Sequence, residues 1–497
     1  MIFSRLWPQS SGKASSNPEL LGFDLLFQLS YMSAIAASGI SRKPIFERAA
    51  RLNVASARYF NAVNVLPQTL NYDYAAACRV VGETTKETEV KNLLLRLSAA
   101  LASGQRDSEF WAQEAQIQAD AYGNDYDRQL ETLRKWTDAY IALLISMALV
   151  MIVAVVSMVL YRVGNALVLG LTGTTAGISL LGGWILYRAA PKEIKPLAGA
   201  TGARGQARCR QLFCILSLAC LAVCALLWLL QAPPGWLFIA AGAVLMPVGI
   251  VTGIYDRRVG RKDEDISVFL RSLGRTASAI GTTVVEALGR IDLRAMNSLA
   301  PEIKSLRTRL QARINPDLCW SRFVIETESE IVSRSVRTFQ DAIALGGDPD
   351  EVGSRSAVFA TRIAQLRARR HLVAAQFGPL CLIMHGTITA LLVFVIEIVG
   401  TFGKAVQSVS LPDMSKVKSL STMSVLSFNP QDMQFFYTLL IPMFLLLSVV
   451  NAFGPKVAGG GHNYTIFFYL GLTLTASGAS LLVMPIITQL IFKVTAA

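Results

Sequence analysis

Seven stretches of apolar residues, each long enough to cross a membrane, constrain the fold of this 497-residue chain more than any other feature. A helix needs about 20 consecutive apolar residues to span a bilayer. The stretches are 139–161, 164–187, 211–231, 235–254, 375–400, 434–452 and 464–491. Charged residues make up only 16% of the chain, whereas ordinary soluble domains carry roughly 25%. We therefore expect an all-α, polytopic membrane protein with about seven transmembrane helices.

The positions of Lys and Arg predict how these helices are oriented. Four segments, 1–138, 188–210, 255–374 and 453–463, together hold 42 of the 47 Lys and Arg residues. Loops rich in these residues remain on the cytoplasmic side of a membrane. The pattern therefore predicts a multi-pass protein of the cell (cytoplasmic or inner) membrane, with a cytoplasmic N-terminus and an external C-terminus.

The spans divide the chain into four predicted regions. Each of the two longest polar segments is predicted to form a cytoplasmic helical domain. The regions are an N-terminal cytoplasmic domain (1–138), four transmembrane helices with a basic cytoplasmic loop at 188–210 (139–254), a second cytoplasmic domain (255–374), and three transmembrane helices with an outer loop at 401–433 (375–497).

The two cytoplasmic segments are copies of one unit. The pattern R-x-V-x-E-T occurs as RVVGET at 79–84 and as RFVIET at 322–327, an offset of 243 residues. Glycines repeat as well, because Gly39 precedes Gly104 by the same 65 residues that separate Gly281 from Gly346. Apolar residues in each copy recur at helical spacing, which predicts two repeated helical bundles.

Several residues of the repeat are predicted to have structural roles. The four glycines are expected to end helices in the left-handed conformation. Thr283 and Glu286 have the S/T-x-x-E spacing of a capping box, in which each side chain bonds the other's backbone N–H. Residues four apart face each other on a helix, which predicts two ion pairs, Arg79–Glu83 and Arg322–Glu326.

The repeated unit resembles the type II secretion system F superfamily over about residues 20–490. The resemblance rests on GTTVVEAL after Gly281, on the helix ends SAALASGQ and AIALGGD, and on the spans that follow each copy. Seven spans and the stretch NPDLCWSRFVIETESEIVSRSVRTFQDAIALGGD are similar to the platform (J protein) branch of archaella and archaeal type IV pili. Archaellum, adhesive or tight-adherence pilus, and secretion machine remain open.

The resemblance implies a non-enzymatic platform for filament assembly. Such a platform binds a hexameric secretion ATPase on the cytoplasmic side and pilin- or archaellin-like subunits in the membrane, often as a homodimer. The residues are compatible with this role, because no phosphate loop of the form G-x-x-x-x-G-K-[ST] occurs and the three histidines are widely dispersed. We therefore expect no catalytic residue, metal or cofactor, and no nucleic-acid partner.

Basic residues beside the spans are candidates for contact with the ATPase. Opposite charges speed association and fix register at an interface, although the same residues also act as topology signals and bind anionic headgroups. The candidates follow the fourth span or precede the fifth: Arg257, Arg258, Arg261, Lys262, Arg362, Arg367, Arg369 and Arg370.

A polytopic transporter or channel with large cytoplasmic regulatory domains is the alternative function. His385 and Glu397 lie in the fifth span, and ionisable groups inside a membrane often have a function, so their role stays open. A transporter, however, predicts charges in several spans and an inverted repeat of the membrane part. The visible repeat here consists of a cytoplasmic domain and the span that follows it, which favours the platform.

Overall fold

The structure, a computed structural model, describes residues 20–160, 165–192, 204–408 and 430–495. Regular structure within these ranges is helical, and no β-strand forms there, so the all-α prediction is confirmed. The chain divides into two compact units. Unit 1 comprises residues 1–128, 191–207 and 255–369, and unit 2 comprises residues 129–190, 208–254 and 370–497.

Unit 1 contains two runs of short helices, each ending in a long helix. The first run is α1 (Leu21–Ala36), α2 (Arg42–Ala50), α3 (Ala57–Leu70), α4 (Tyr74–Thr84), α5 (Thr88–Ser103) and the start of α6 (Asp107–Leu160). The second is the end of α9 (Pro234–Ile280), then α10 (Val284–Ala287), a 3-10 helix (Leu293–Met296), α11 (Ala300–Gln311), α12 (Pro316–Thr327), α13 (Glu330–Ala344) and the start of α14 (Pro349–Ser408). Helices α10 to α14 begin 242 or 243 residues after α2 to α6, so the sequence repeat corresponds to a repeated order of helices.

Helix α1 lies at the centre of unit 1. Its sequence, LGFDLLFQLSYMSAIA, is apolar around most of its circumference, and all but one of its residues are buried. The rings of Phe23 and Phe27 each lie 5.4 Å from the ring of Phe359, which belongs to α14 of the second copy. The two copies therefore share one hydrophobic core, and burying aromatic rings of this size stabilises it strongly.

In each copy, an aspartate in the first long apolar helix accepts a hydrogen bond from the corresponding loop of that copy. Asp24 accepts a hydrogen bond through Oδ2 from the backbone N–H of Ala55 (2.8 Å), and Asp265 accepts one from Ser298 (2.9 Å). Partly buried backbone N–H groups need an acceptor. The carboxylate that accepts lies 31 residues from the N–H group in the first copy and 33 residues from it in the second. This shared contact is further support for a duplicated unit.

Unit 2 holds the apolar helices. It contains α7 (Asn165–Ala189), most of α8 (Arg204–Leu229), α15 (Pro430–Gly459), a 3-10 helix (Asn463–Thr465), α16 (Ile466–Thr495) and the remaining parts of α6, α9 and α14. Within the described residues, six helices are long and apolar enough to cross a membrane: α6, α8, α9, α14, α15 and α16. The other predicted span, 164–187, falls on α7, and residues 161–164 and most of the outer loop 401–433 lie outside the described residues.

Helices α9 and α16 pack closely through glycines spaced seven residues apart. A Cβ atom on Gly242 would lie 2.6 Å from the carbonyl oxygen of Gly471, and one on Gly478 would lie 2.6 Å from that of Gly235. Small residues let backbones approach where lipid offers no hydrophobic driving force for association, and close backbones gain weak Cα–H···O contacts. The glycines thus fix the contact between these two helices.

Candidate functional site

Three of the eight predicted docking residues form an exposed basic cluster on α9. Arg257, Arg258 and Arg261 are all exposed, and no ion pair to any of them occurs within the described residues. Their i, i+1, i+4 spacing places them on one side of the helix. We refer to these three residues as the α9 basic cluster.

Two other predicted docking residues are buried in unit 1, so their assignment to a docking surface was wrong. The Lys262 Nζ atom lies 2.6 Å from Oε1 of Glu302, and the Arg367 Nη1 atom lies 2.6 Å from Oδ2 of Asp263. Both side chains are less than a tenth exposed. Buried charges of this kind must be paired inside the protein, so they are not available to a partner.

Arg370 is buried as well, within unit 2. Its Nε donates to the carbonyl oxygen of Ala458 (2.9 Å) and its Nη2 donates to that of Val457 (2.8 Å). Both carbonyls lie in the last turn of α15, where backbone acceptors lack intrahelical donors and a positive charge is favourable. Arg370 therefore caps a helix, which corrects its assignment to the docking surface.

Arg362 and Arg369 contact the first copy of the repeat. Arg362 donates through Nε to the carbonyl oxygen of Ala119 (3.0 Å) and through Nη2 to Asp120 (3.4 Å), and Arg369 donates to Asp127. The Arg369 side chain is half exposed, but its charge is balanced by the neighbouring carboxylate. The predicted cluster at 362–370 thus serves mainly internal contacts.

The four repeat glycines all have a left-handed backbone. The φ angle is 69° at Gly39, 76° at Gly104, 65° at Gly281 and 85° at Gly346. A Cβ on any of them would meet no atom within 4 Å, so conformation rather than space favours glycine at these positions.

The predicted capping box does not form. Thr283 occupies the N-cap position of α10, but its side chain makes no capping hydrogen bond, and Glu286 is exposed. The N–H of Glu286, which the Thr283 side chain would bond in a capping box, instead bonds the Thr283 carbonyl oxygen at 3.0 Å.

The two predicted ion pairs of the repeat have different outcomes. Arg322 lies 3.4 Å from Glu326, and Arg309 of α11 donates to the same carboxylate at 2.5 Å, so this pair joins α11 and α12. Arg79 and Glu83 are both exposed, and no ion pair between them occurs among the described residues. The pairing was therefore right for the second copy and wrong for the first.

A buried ion pair that the sequence reasoning missed joins the two copies. Arg334 of α13 donates to Asp24 of α1 (2.8 Å) and to Glu330 (2.9 Å), and its guanidinium lies 4.8 Å and 4.9 Å from the ring centres of Phe23 and Phe27. Burial opposes the charge, but the two carboxylates raise the pKa of Arg334 above its ordinary value. The signal was an acidic residue inside the apolar helix α1.

Glu328 was also missed, although it holds the start of α8. Its φ of 58° is uncommon for a residue other than glycine. Its carboxylate accepts hydrogen bonds from the N–H of Gly205 (2.7 Å) and Gln206 (3.3 Å) and from the hydroxyl of Tyr255 (2.6 Å). A negative charge is favourable at a helix N-terminus, so Glu328 anchors this segment within unit 1.

His385 is the centre of a buried polar network in unit 2. Its Nδ1 accepts a hydrogen bond from the Asn451 side-chain amide (2.9 Å), and its Nε2 lies 3.1 Å from the carbonyl oxygen of Thr473. Because a carbonyl only accepts, Nε2 is the donor in this contact. Asn451 accepts a further bond from the Tyr140 hydroxyl (2.7 Å), so the network joins α6, α14, α15 and α16.

Glu397, the other ionisable group of the fifth span, is bonded to the neighbouring helix. Its Oε1 accepts a hydrogen bond from the hydroxyl of Tyr437 in α15 (2.6 Å). Groups of three or more side chains suited to hold a metal ion are absent from the described part of the chain. The network around His385 and the Glu397–Tyr437 pair both make polar contacts between helices.

Comparisons with known proteins give two related chains. The chain is 24% identical over 446 residues to "Flagella accessory protein J" of Methanococcus voltae, a match that covers 87% of this chain and 78% of that protein. It is 23% identical over 416 residues to "Flagella accessory protein J" of Methanocaldococcus jannaschii, covering 80% of this chain and 72% of that protein. No family model and no solved structure matches the chain. The resemblance to the platform (J protein) branch is thereby confirmed: this all-α membrane protein is similar over most of its length to two flagella accessory J proteins.

Proposed function

We propose that this protein is the membrane platform of an archaellum-type filament machine. Its similarity to two flagella accessory J proteins supports this role, as does an architecture of membrane-spanning helices combined with a helical unit of two copies. The platform has no catalytic centre of its own, and its work comes from ATP hydrolysis by a partner.

The α9 basic cluster is the proposed contact with a hexameric ATPase. It is the single observation that carries this part of the proposal, because its three guanidiniums are exposed while most other predicted candidates are engaged internally. The cluster lies on the same continuous helix as the apolar segment 235–254.

The membrane part is proposed to hold pilin- or archaellin-like subunits, with the protein acting as a homodimer. The strong excess of Lys and Arg in the segments assigned to the cytoplasm supports a cytoplasmic N-terminus and an external C-terminus. In this arrangement unit 1 faces the cytoplasm, where the ATPase is located, and the subunits enter from the bilayer.

Charge reversal of the α9 basic cluster tests the docking proposal. The variant R257E/R258E/R261E should insert into the membrane normally but lose filaments and salt-sensitive co-purification with the ATPase. The matched control R51E/R58E/R79E reverses the charge of three exposed arginines of the first copy. It should keep both the filaments and the co-purification with the ATPase. Filaments are counted by electron microscopy, and membrane insertion is checked by protease accessibility.

Two results would overturn the proposal. Normal filament numbers in R257E/R258E/R261E would remove the α9 basic cluster from docking. Recovery of the detergent-extracted protein without an ATPase or filament subunits, together with solute uptake after reconstitution, would support the transporter instead.

A further inference from the structure

A surface groove of about 460 Å³ lies on the second copy of the repeat, beside α10 and the end of α11. Its lining includes Thr283, Val285, Gly289, Arg290, Arg307 and Gln311. The groove is largely open to solvent, unlike the clefts that bury most of the surface of a small ligand. The groove is separate in sequence from the α9 basic cluster, so the docking test does not decide this inference, although the cytoplasmic side of its partner rests on the proposed function.

Two arginines that line the groove are exposed. These are Arg290 and Arg307, and neither forms an ion pair with any residue that the structure describes. Gly289 lies against Arg307, because a Cβ there would lie 3.7 Å from Nη2 of Arg307 and 3.1 Å from the carbonyl oxygen of Glu286. Guanidinium groups bind carboxylates through bidentate, charge-assisted hydrogen bonds.

The corresponding place in the first copy is built differently. Helix α2 has nine residues where α10 has four, so turns follow α10 where the first copy continues as helix. The residue matching Arg307, 243 positions earlier, is Asn64, which is buried and accepts a hydrogen bond from the Tyr74 hydroxyl. The position of Arg290 matches Arg48, 242 residues earlier, so Arg307 and the short helix α10 are what distinguish this place in the second copy.

We infer that this groove binds an acidic peptide segment of a cytoplasmic partner protein. Arg290 and Arg307 hold a carboxylate, and Val285, which is 38% exposed, supplies an apolar wall for a neighbouring side chain. Glu286 also lines the groove and repels a ligand that carries several phosphates. A peptide with both acidic and apolar side chains can contact the arginines and Val285 without bringing several phosphates near Glu286, whereas a nucleic acid or a polyphosphate cannot.

Fluorescence anisotropy on the full chain in detergent tests this inference. The probe is a fluorescein-labelled hexapeptide of alternating Glu and Ala, with the Gln–Ala hexapeptide for comparison. The variant R290Q/R307Q should bind the acidic probe at least tenfold more weakly. The control R51Q/R58Q removes the same charge from exposed sites on the first copy and should bind as the unaltered protein does. E286Q, which removes the repelling carboxylate, should bind the probe more tightly.

Unchanged circular dichroism melting of R290Q/R307Q shows that the loss is local. Equal affinity in R290Q/R307Q and in the control would overturn the inference, as would equal binding of the two hexapeptides. Displacement of the acidic probe by inorganic phosphate at constant ionic strength would also overturn it, because the groove would then be a simple anion site.

Discussion

Arg369 of α14 donates a hydrogen bond to Asp127 of α6. Asp127 occupies the position in the first copy that matches Arg369 in the second, 242 residues earlier. Arg362 and Asp120 repeat this relationship, again 242 residues apart. In a twofold arrangement a residue contacts its own counterpart only beside the axis. An approximate twofold axis therefore passes between α6 and α14 within unit 1. Opposite charges at these positions avoid the like-charge contact that identical copies would make.

Exchanging the two charges of Arg369 and Asp127 tests this relationship. R369D should place two carboxylates together and lower the unfolding free energy by about 0.5–1 kcal/mol, since both groups are partly exposed. The double variant R369D/D127R should recover most of that loss. Thermal unfolding followed by tryptophan fluorescence gives both values. The exposed pair Arg106–Glu109 offers a control, because R106Q should change little; additive effects in the double variant would contradict the contact.

The helix order and the repeat glycines were predictable because their signals are local. Apolar spacing, turn residues and the need for a positive φ all act within a few residues, so the pattern around Gly281 already indicated a helix end. The length of each apolar stretch likewise indicates directly whether it can cross a membrane. What sequence spacing did not indicate is that α6, α9 and α14 continue without a break from the apolar segments into unit 1.

Docking residues were harder to predict because burial depends on the neighbouring helices. Arg261 and Lys262 are adjacent in sequence, yet one is exposed and the other is paired with Glu302 inside unit 1. A basic run does not reveal which of its members faces a neighbour. The contact between Asp24 and Arg334 spans 310 residues, so no local pattern could assign the partner of either residue.

Removal of one partner of the Asp24–Arg334 pair should destabilise unit 1 strongly. R334M leaves the Asp24 carboxylate buried without its cation, and breaking a buried pair in this way costs about 3–5 kcal/mol. The double variant D24L/R334M removes both charges and should be clearly more stable than R334M. Denaturant unfolding of the detergent-solubilised chain measures the difference, and equal stability of the two variants would show that the pair is not coupled.

Cys78 should resist alkylation in the folded protein. Burial, and secondarily the negative charge of Asp73, raises the pKa of the Cys78 thiol from 9.0 to about 12. With the other six cysteines changed to Ser, iodoacetamide should react slowly at pH 8 and readily after unfolding, because the thiolate fraction is far smaller in the folded state. Since the folded pKa is the higher one, this thiol's contribution to stability is complete below pH 9 and is lost as the pH rises toward 12. Rapid labelling of the native chain at pH 8 would contradict the buried position.

Gly242 should tolerate no side chain, whereas Gly253 on the same helix should. A Cβ at position 242 would lie 2.6 Å from the Gly471 carbonyl oxygen, and one at position 253 would meet no atom within 4 Å. Overpacking of this kind typically costs about 1–3 kcal/mol, so G242A should lower the Tm of the protein in detergent and increase its cleavage by protease. G253A should leave both unchanged or raise the Tm slightly, because Ala favours a helix more than Gly. If the two variants melt alike, α9 and α16 do not approach each other through these glycines.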